Sequence, residues 1–229
     1  MQLFLAQARG PVRNGEMLRH AVARALRTRA ANKNAMGDYM IEDPLVETLA
    51  FVTDALEEVG AAYAVTGSLA SSVHGETTST YDADLIVLAS PKHVDALSTR
   101  LQPRFYAPRD MLLDAVSQNS FVNVVDGRTS YKVDLSFVGN DLFLGVALRR
   151  RVQRQIGQHP KLFWFVTSED IVLMKLIWRK DTRSTKQWDN ALSVVRFKGA
   201  RMDWKYLFEQ AAGLGIKDDL TRLRDEAGI

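Results

Sequence analysis

The chain has 229 residues, 46% of them apolar and 25% charged, with no cysteine and only four histidines. These proportions are those of an ordinary globular protein and exclude a largely disordered chain, a disulfide framework, a thiolate zinc site and a cysteine nucleophile; no apolar run approaches the ~20 residues of a bilayer span. The net charge of +3 is unevenly spread: residues 1–37 carry seven Lys/Arg against Glu16 alone, whereas the rest carry 23 basic and 26 acidic side chains. The pI of about 9.2 therefore belongs to the N-terminal stretch. Residues 1–38 are expected to be a basic, mobile extension, or residues preceding a start at Met36 or Met40; a nucleic-acid-binding arm and a transit peptide are the alternatives. Without a long apolar stretch of secretory type, the expected location is the cytoplasm.

In chain order, Asp43-Pro44 reads as a helix start, and Leu45, Leu49, Val52 and Leu56 at three- and four-residue spacing predict an amphipathic helix over 44–59, ended by Gly60. Ala61–Thr66 is a short apolar strand, and Gly67-Ser68 turns it into a small helix reaching His74. Gly75 and the polar run Glu76–Thr80 form a loop before the strand Asp82–Leu88. Pro91 opens a helix to about Leu101, and another is expected near 109–117. Strands Phe121–Val125 and Tyr131–Val138 flank Asp126-Gly127, a hairpin signal. Beyond Gly145 the pattern turns helical, with an Arg-rich helix near 146–155 and further helices at 168–180, 184–197, 203–213 and 217–226, interrupted by a strand at Leu162–Val166. The expected division is an extension (1–38), a core (39–145) and a helical C-terminal region (146–229).

The candidate chemistry lies in Asp82, Asp84 and Asp134. Residues two apart on a strand share a face, so Asp82 and Asp84 project together. Acids are depleted in strands, yet this strand begins with two and ends Leu-Ile-Val-Leu; Asp134 is a third acid within an apolar strand. Three convergent carboxylates would hold Mg²⁺ or Mn²⁺ with oxygen ligands only, as needed for displacement at phosphorus. Gly67-Ser68, 14 residues before Asp82, supplies a turn opening a helix, where backbone N–H groups and the Ser68 hydroxyl can meet phosphate.

With Gly67-Ser68, Gly75, Thr80-Tyr81-Asp82-Ala83-Asp84 and Asp134 in place, the sequence resembles the DNA polymerase β-type nucleotidyltransferase superfamily, most of all small bacterial nucleotidyltransferase-like proteins related to abortive-infection toxins. Ser168–Leu176 and Gln187-Trp188-Asp189-Asn190 resemble that family's helical tail. The resemblance implies an α/β (α+β) nucleotidyltransferase fold, with a small mixed sheet flanked by helices and a helical C-terminal region. It implies that Asp82 and Asp84 bind both metals and that Asp134 binds the catalytic one and helps deprotonate an acceptor hydroxyl. Gly67 and Ser68 would hold the terminal phosphates, and Lys175 would contact phosphate. The implied reaction moves an NMP from an NTP to the hydroxyl of an RNA end, a protein or a small molecule, releasing pyrophosphate. Thr78 is a departure, because relatives often carry Arg there, and it bears on triphosphate binding. A catalytically weak or inactive nucleotidyltransferase fold serving as a binding or toxin–antitoxin module, with an antitoxin as partner, is the alternative reading; a phosphohydrolase is a third.

Ordinary structural roles compete at each position. Asp82 and Asp84 can be strand-edge acids, and Asp134 a charge that discourages edge pairing. Lys175 can be a snorkelling lysine paired with Asp170, and Lys186 with Asp189 a surface pair. Arg149, Arg150, Arg151 and Arg154 are expected on a solvated helix face, with contact to a polyanionic acceptor as the alternative. Trp164, Trp178, Trp188 and Trp204 suit core packing better than base stacking. His74 reads as a helix-terminal residue and not a base.

Overall fold

The computed structural model describes residues 43–77 and 79–229; the basic stretch expected to form an extension, and Thr78, lie outside the described residues. Helix α1 (Pro44–Glu58) starts where Asp43 accepts from the Leu45 N–H at 3.0 Å, with Pro44 in the first turn, and it buries the Leu45, Leu49, Val52 and Leu56 stripe. Strand β1 (Ala62–Thr66) follows, then α2 (Gly67–His74), β2 (Asp82–Leu88), α3 (Pro91–Leu101), β3 (Phe105–Tyr106), α4 (Arg109–Ser117), β4 (Phe121–Asp126) and β5 (Lys132–Phe137). The second half adds α5 (Leu142–Arg150), β6 (Val152–Gln155), β7 (Leu162–Phe165), α6 (Ser168–Thr182), α7 (Thr185–Lys198), a 3₁₀ turn at Gly199–Arg201, α8 (Trp204–Leu214) and α9 (Lys217–Ala227).

The strands form one mixed sheet in the order β3-β4-β5-β2-β1-β7-β6. β2 runs parallel to β5 and β1 parallel to β7, and the remaining neighbours are antiparallel. The fold is thus α/β with a mixed sheet between helices, and its interior is one continuous apolar cluster running from Leu45 to Leu223. No helix among the described residues is long and apolar enough to cross a membrane.

Three local outcomes differ from the sequence reading. The Arg-rich helix expected near 146–155 is instead α5, which begins at Leu142, where Asp141 accepts from the Leu144 N–H. It ends because Arg151 is extended (φ −51°, ψ 149°) and Val152–Gln155 pairs with β7. The ladder offered by β7 outcompetes local helix propensity. The strand expected at Leu162–Val166 forms over Leu162–Phe165, and the second difference is that β6 joins the sheet beside it. The third difference is β3, two residues long and without a pattern of its own, which forms on the edge of β4.

The β4–β5 hairpin is anchored by a buried polar cluster. Asp126 accepts from Arg104 (Nη2 at 2.6 Å, Nε at 2.8 Å), from the Thr48 and Thr129 hydroxyls and from the Arg128 N–H. Arg104 also lies over the rings of Phe51 and Phe105, at 5.3 and 5.7 Å. Burial opposes ionisation of Asp126, but Arg104 and the other donors outweigh it and bring the carboxyl down to about 2.

Candidate active site

Strand register builds the site. Thr66 lies opposite Asp84 across β1–β2, Asp84 opposite Asp134 across β2–β5, and Asp134 opposite Asn123 across β4–β5. Residues directly opposite share a face, so these four form a row across four strands. Asp82 and Lys132, likewise paired, stand on the same face two positions along. The three acids singled out from the sequence therefore sit on one face of adjacent strands.

Gly67 closes the row from the side. Its φ is +65°, and a Cβ added there would lie 1.8 Å from Asp84 Oδ2. Only glycine satisfies both the backbone conformation and the approach of α2 to the acid. The half-buried Ser68 follows in the first turn of α2.

The charges are crowded. Burial, then the Asp82 and Asp134 carboxylates, push the Asp84 carboxyl up to about 6, with Lys175 and Lys132 opposing the rise. Lys175 comes from α6, which covers this face; the Thr66 hydroxyl donates to Met174 Sδ of that helix at 3.1 Å. Lys175 is buried, at 2% exposure. Burial lowers its ammonium to about 8, against the attraction of Asp84 and Asp82. Its ammonium also lies 5.0 Å from the Trp178 ring centroid. The alternative partner considered for it, Asp170, is occupied by Tyr206 Oη, Thr167 Oγ1 and Arg150.

Two residues not singled out from the sequence complete the group. The Lys132 ammonium lies 3.1 Å from Asp134 Oδ2 and 3.4 Å from Asp82 Oδ2. Asn123 Nδ2 donates to Asp134 Oδ1, and the Thr80 hydroxyl donates to Asp82 Oδ1. A two-residue turn at Asp126-Gly127 would place Asn123 opposite Ser130; the loop is instead the four residues 127–130, closed by the Asp126 N–H donating to the Tyr131 carbonyl, and this shifts the partner of Asn123 to Asp134. Period-two alternation does place Lys132 on the face of Asp134.

The donor set can be tested against a divalent cation from this arrangement. No group of three or more acidic or histidine side chains is gathered closely enough to hold one ion among the described residues. The chemistry nevertheless suits a cation: the oxygens are hard, Asp84 stays raised by burial and by like-charge repulsion that Lys175 and Lys132 only partly offset, and Asp82 and Asp134 already bracket a positive charge, the Lys132 ammonium.

The remaining candidates have structural roles. Arg150 pairs with Asp170 and stacks on Tyr206 at 3.7 Å, Arg151 stacks on Trp164 at 4.7 Å, and Arg154 lies on β6, so the four arginines do not share a helix face. Trp188 is buried between Arg179 and Arg222, and Trp164, Trp178 and Trp204 pack against the core. His74 Nε2 donates to the Val166 carbonyl at 2.7 Å, tying α2 to the end of β7. Asp189 is exposed. Beyond Met174 and Trp178, a cavity of about 630 Å³ opens between α5, α6 and α8, with Phe143, Ile177 and Leu214 among its apolar walls and Glu209 and Gln210 among its polar ones.

Comparison with known proteins gives likeness of fold only. No family model matches the chain, and no curated protein does. Among solved structures, ANT(2″)-Ia in complex with adenylyl-2″-tobramycin is 11% identical, with 75% of this chain and 97% of that one covered and a TM-score of 0.48. The solution structure of the antibiotic-resistance factor ANT(2″)-Ia gives 12%, 80%, 93% and 0.47. An antigenic nucleotidyltransferase-like protein from Paracoccidioides brasiliensis gives 13%, 80%, 93% and 0.43. Identities of 11–13% and scores below 0.5 leave the catalytic residues and substrate to be argued from the site itself.

Proposed function

We propose that the protein is a metal-dependent nucleotidyltransferase that moves an NMP from a nucleoside triphosphate to an acceptor hydroxyl and releases pyrophosphate. One observation carries this reading: Asp82, Asp84 and Asp134 share a face of adjacent strands, against a Gly67 turn that admits no side chain beside Asp84. Asp82 and Asp84 would hold Mg²⁺ or Mn²⁺ together with Asp134; when bound, the cation supplies charge neutralisation on the phosphate oxygens.

The chain's own residues divide the remaining work. The backbone N–H groups at Gly67-Ser68 and the Ser68 hydroxyl donate to the β- and γ-phosphates at the start of α2, where the helix dipole favours negative charge. Asp134, held by Asn123, accepts the proton of the acceptor hydroxyl. The hydroxyl oxygen then bonds to the α-phosphorus, and the bond from that phosphorus to the β-phosphate oxygen breaks, so pyrophosphate leaves with the electron pair. Lys175 balances Asp84 and approaches the triphosphate from the α6 side.

The acceptor we favour is a small molecule. The cavity of about 630 Å³ beside Met174 and Trp178 has the size of small-molecule sites, whereas Arg150 and Arg151 are engaged internally. The finer likeness to abortive-infection relatives, and with it an antitoxin partner, rests on residues 67–84 and 168–190. The alternative of a non-catalytic binding module gains support from Lys132 and Lys175, which already offset the acids. The experiment incubates the protein with each α-³²P-NTP, Mg²⁺, and RNA, protein and small-molecule fractions. Label transferred from α-³²P but not γ-³²P, and lost in Asp82→Ala/Asp84→Ala, supports the enzyme; silence with all four triphosphates overturns it.

A further inference from the structure

We infer that Lys132 is a built-in counter-ion of the carboxylate site, occupying with its ammonium the position between Asp82 and Asp134 that an entering divalent cation must take, so that cation binding is an exchange reaction against this side chain. The inference rests on the metal-dependent reading above and adds to it a residue that sets the site's affinity.

The geometry is specific. Lys132 and Asp134 are two apart on β5 and point to the same face, and Lys132 is directly opposite Asp82 on β2. Its ammonium therefore reaches one oxygen of each acid, at 3.4 and 3.1 Å. The other oxygens are held independently, Asp82 Oδ1 by Thr80 and Asp134 Oδ1 by Asn123. Both acids are thus fixed by neighbours that do not depend on Lys132, and they would keep their places if its ammonium left. The lysine itself is not locked in: its side chain is 42% exposed, and a four-carbon stem with three donors can swing to solvent. Lys175 does not serve the same purpose, because it is buried on α6 and its strongest attraction is to Asp84.

An ammonium in the cation position competes with a divalent ion for the same two oxygens. Removing it should tighten cation binding, whereas a purely structural lysine would, on removal, loosen the site and weaken binding. A cationic replacement should leave the competition in place.

The test measures Mn²⁺ affinity of the full-length protein, from free Mn²⁺ by electron paramagnetic resonance at low ionic strength, in the wild type, Lys132→Met, Lys132→Gln and Lys132→Arg. Circular dichroism melts establish folding of each variant. The expected result is Mn²⁺ affinity at least fivefold tighter in Lys132→Met and Lys132→Gln and within about twofold of wild type in Lys132→Arg, consistent with removing a neighbouring unit charge in a partly buried site. The neutral variants should also gain more thermal stability from saturating Mn²⁺ than the wild type does. Lys132→Gln keeps hydrogen-bonding capacity against the acids and carries the test if Lys132→Met fails to fold. Equal or weaker Mn²⁺ binding in the neutral variants overturns the role of Lys132 and leaves the metal reading standing. Absence of Mn²⁺ binding at millimolar concentration in every variant overturns both.

Discussion

At Asp84 the demands of the fold and of the site conflict. Its carboxyl is raised to about 6 from an ordinary 3.8, so ionising it weakens the folded state. This cost is absent below about pH 4, develops between pH 4 and 6, and is complete above that. Asp84→Asn is therefore expected to stabilise the protein in chelator at pH 8, on the order of 2 kcal/mol, and to leave the melting temperature nearly unchanged at pH 4. The same substitution should reduce nucleotidyl transfer by about a hundredfold or more, the scale of a group acting at developing charge. Melts at the two pH values, alongside label transfer, check both halves. Gly67→Ala should fail in both respects. Its Cβ would meet Asp84 Oδ2 at 1.8 Å in a left-handed backbone conformation, so a loss of roughly 2 kcal/mol or more should accompany lost transfer. The acids and Gly67 were legible in sequence because strand alternation and a strand–glycine–helix junction are local patterns. Asn123 and Lys132 became part of the site only through register between strands, and the Asp126-Gly127 signal alone misassigns that register because the loop has four residues and not two.

Among the elements, the β4–β5 hairpin depends on Asp126. Its folded carboxyl, at about 2, lies below its unfolded value of 3.8, so the stabilisation is fully present above about pH 4 and fades as pH falls toward 2. The amount at neutral pH is roughly 2 kcal/mol. Arg104→Ala should destabilise by about 3 kcal/mol, since it leaves a buried carboxylate without its cation and uncovers Phe51 and Phe105. In the variant the acid-side loss of stability should shift to higher pH, and urea titrations from pH 2 to 7 measure it. Several helix ends were legible: Asp43-Pro44, Gly60 and Pro91 are local signals. Strand β6 was not, because Val-Gln-Arg-Gln has a single apolar residue and takes its conformation from β7. Four closely spaced arginines read as one helix face until that pairing divided them.

For the whole molecule, the mixed sheet and its helical cover were foreseeable in kind, but the way the C-terminal half enters the sheet was not. A division at residue 145 separates β1 from β7, its parallel neighbour, and the acids from α6 above them. A fragment ending at residue 150 is accordingly expected to lack a cooperative melt. The full chain should show a single calorimetric transition, with calorimetric and van't Hoff enthalpies in agreement; two resolved transitions would contradict this.

The parallel pairing of Val65 with Phe165 spans 100 residues of sequence, and this bears on how the protein is born. While the ribosome is still making the middle of the chain, β1 has one hydrogen-bonding edge bare and the acidic row has no roof. Neither is covered until β7 and α6 emerge, so a nascent chain presents an open strand edge beside concentrated negative charge. Such long-range closure slows folding.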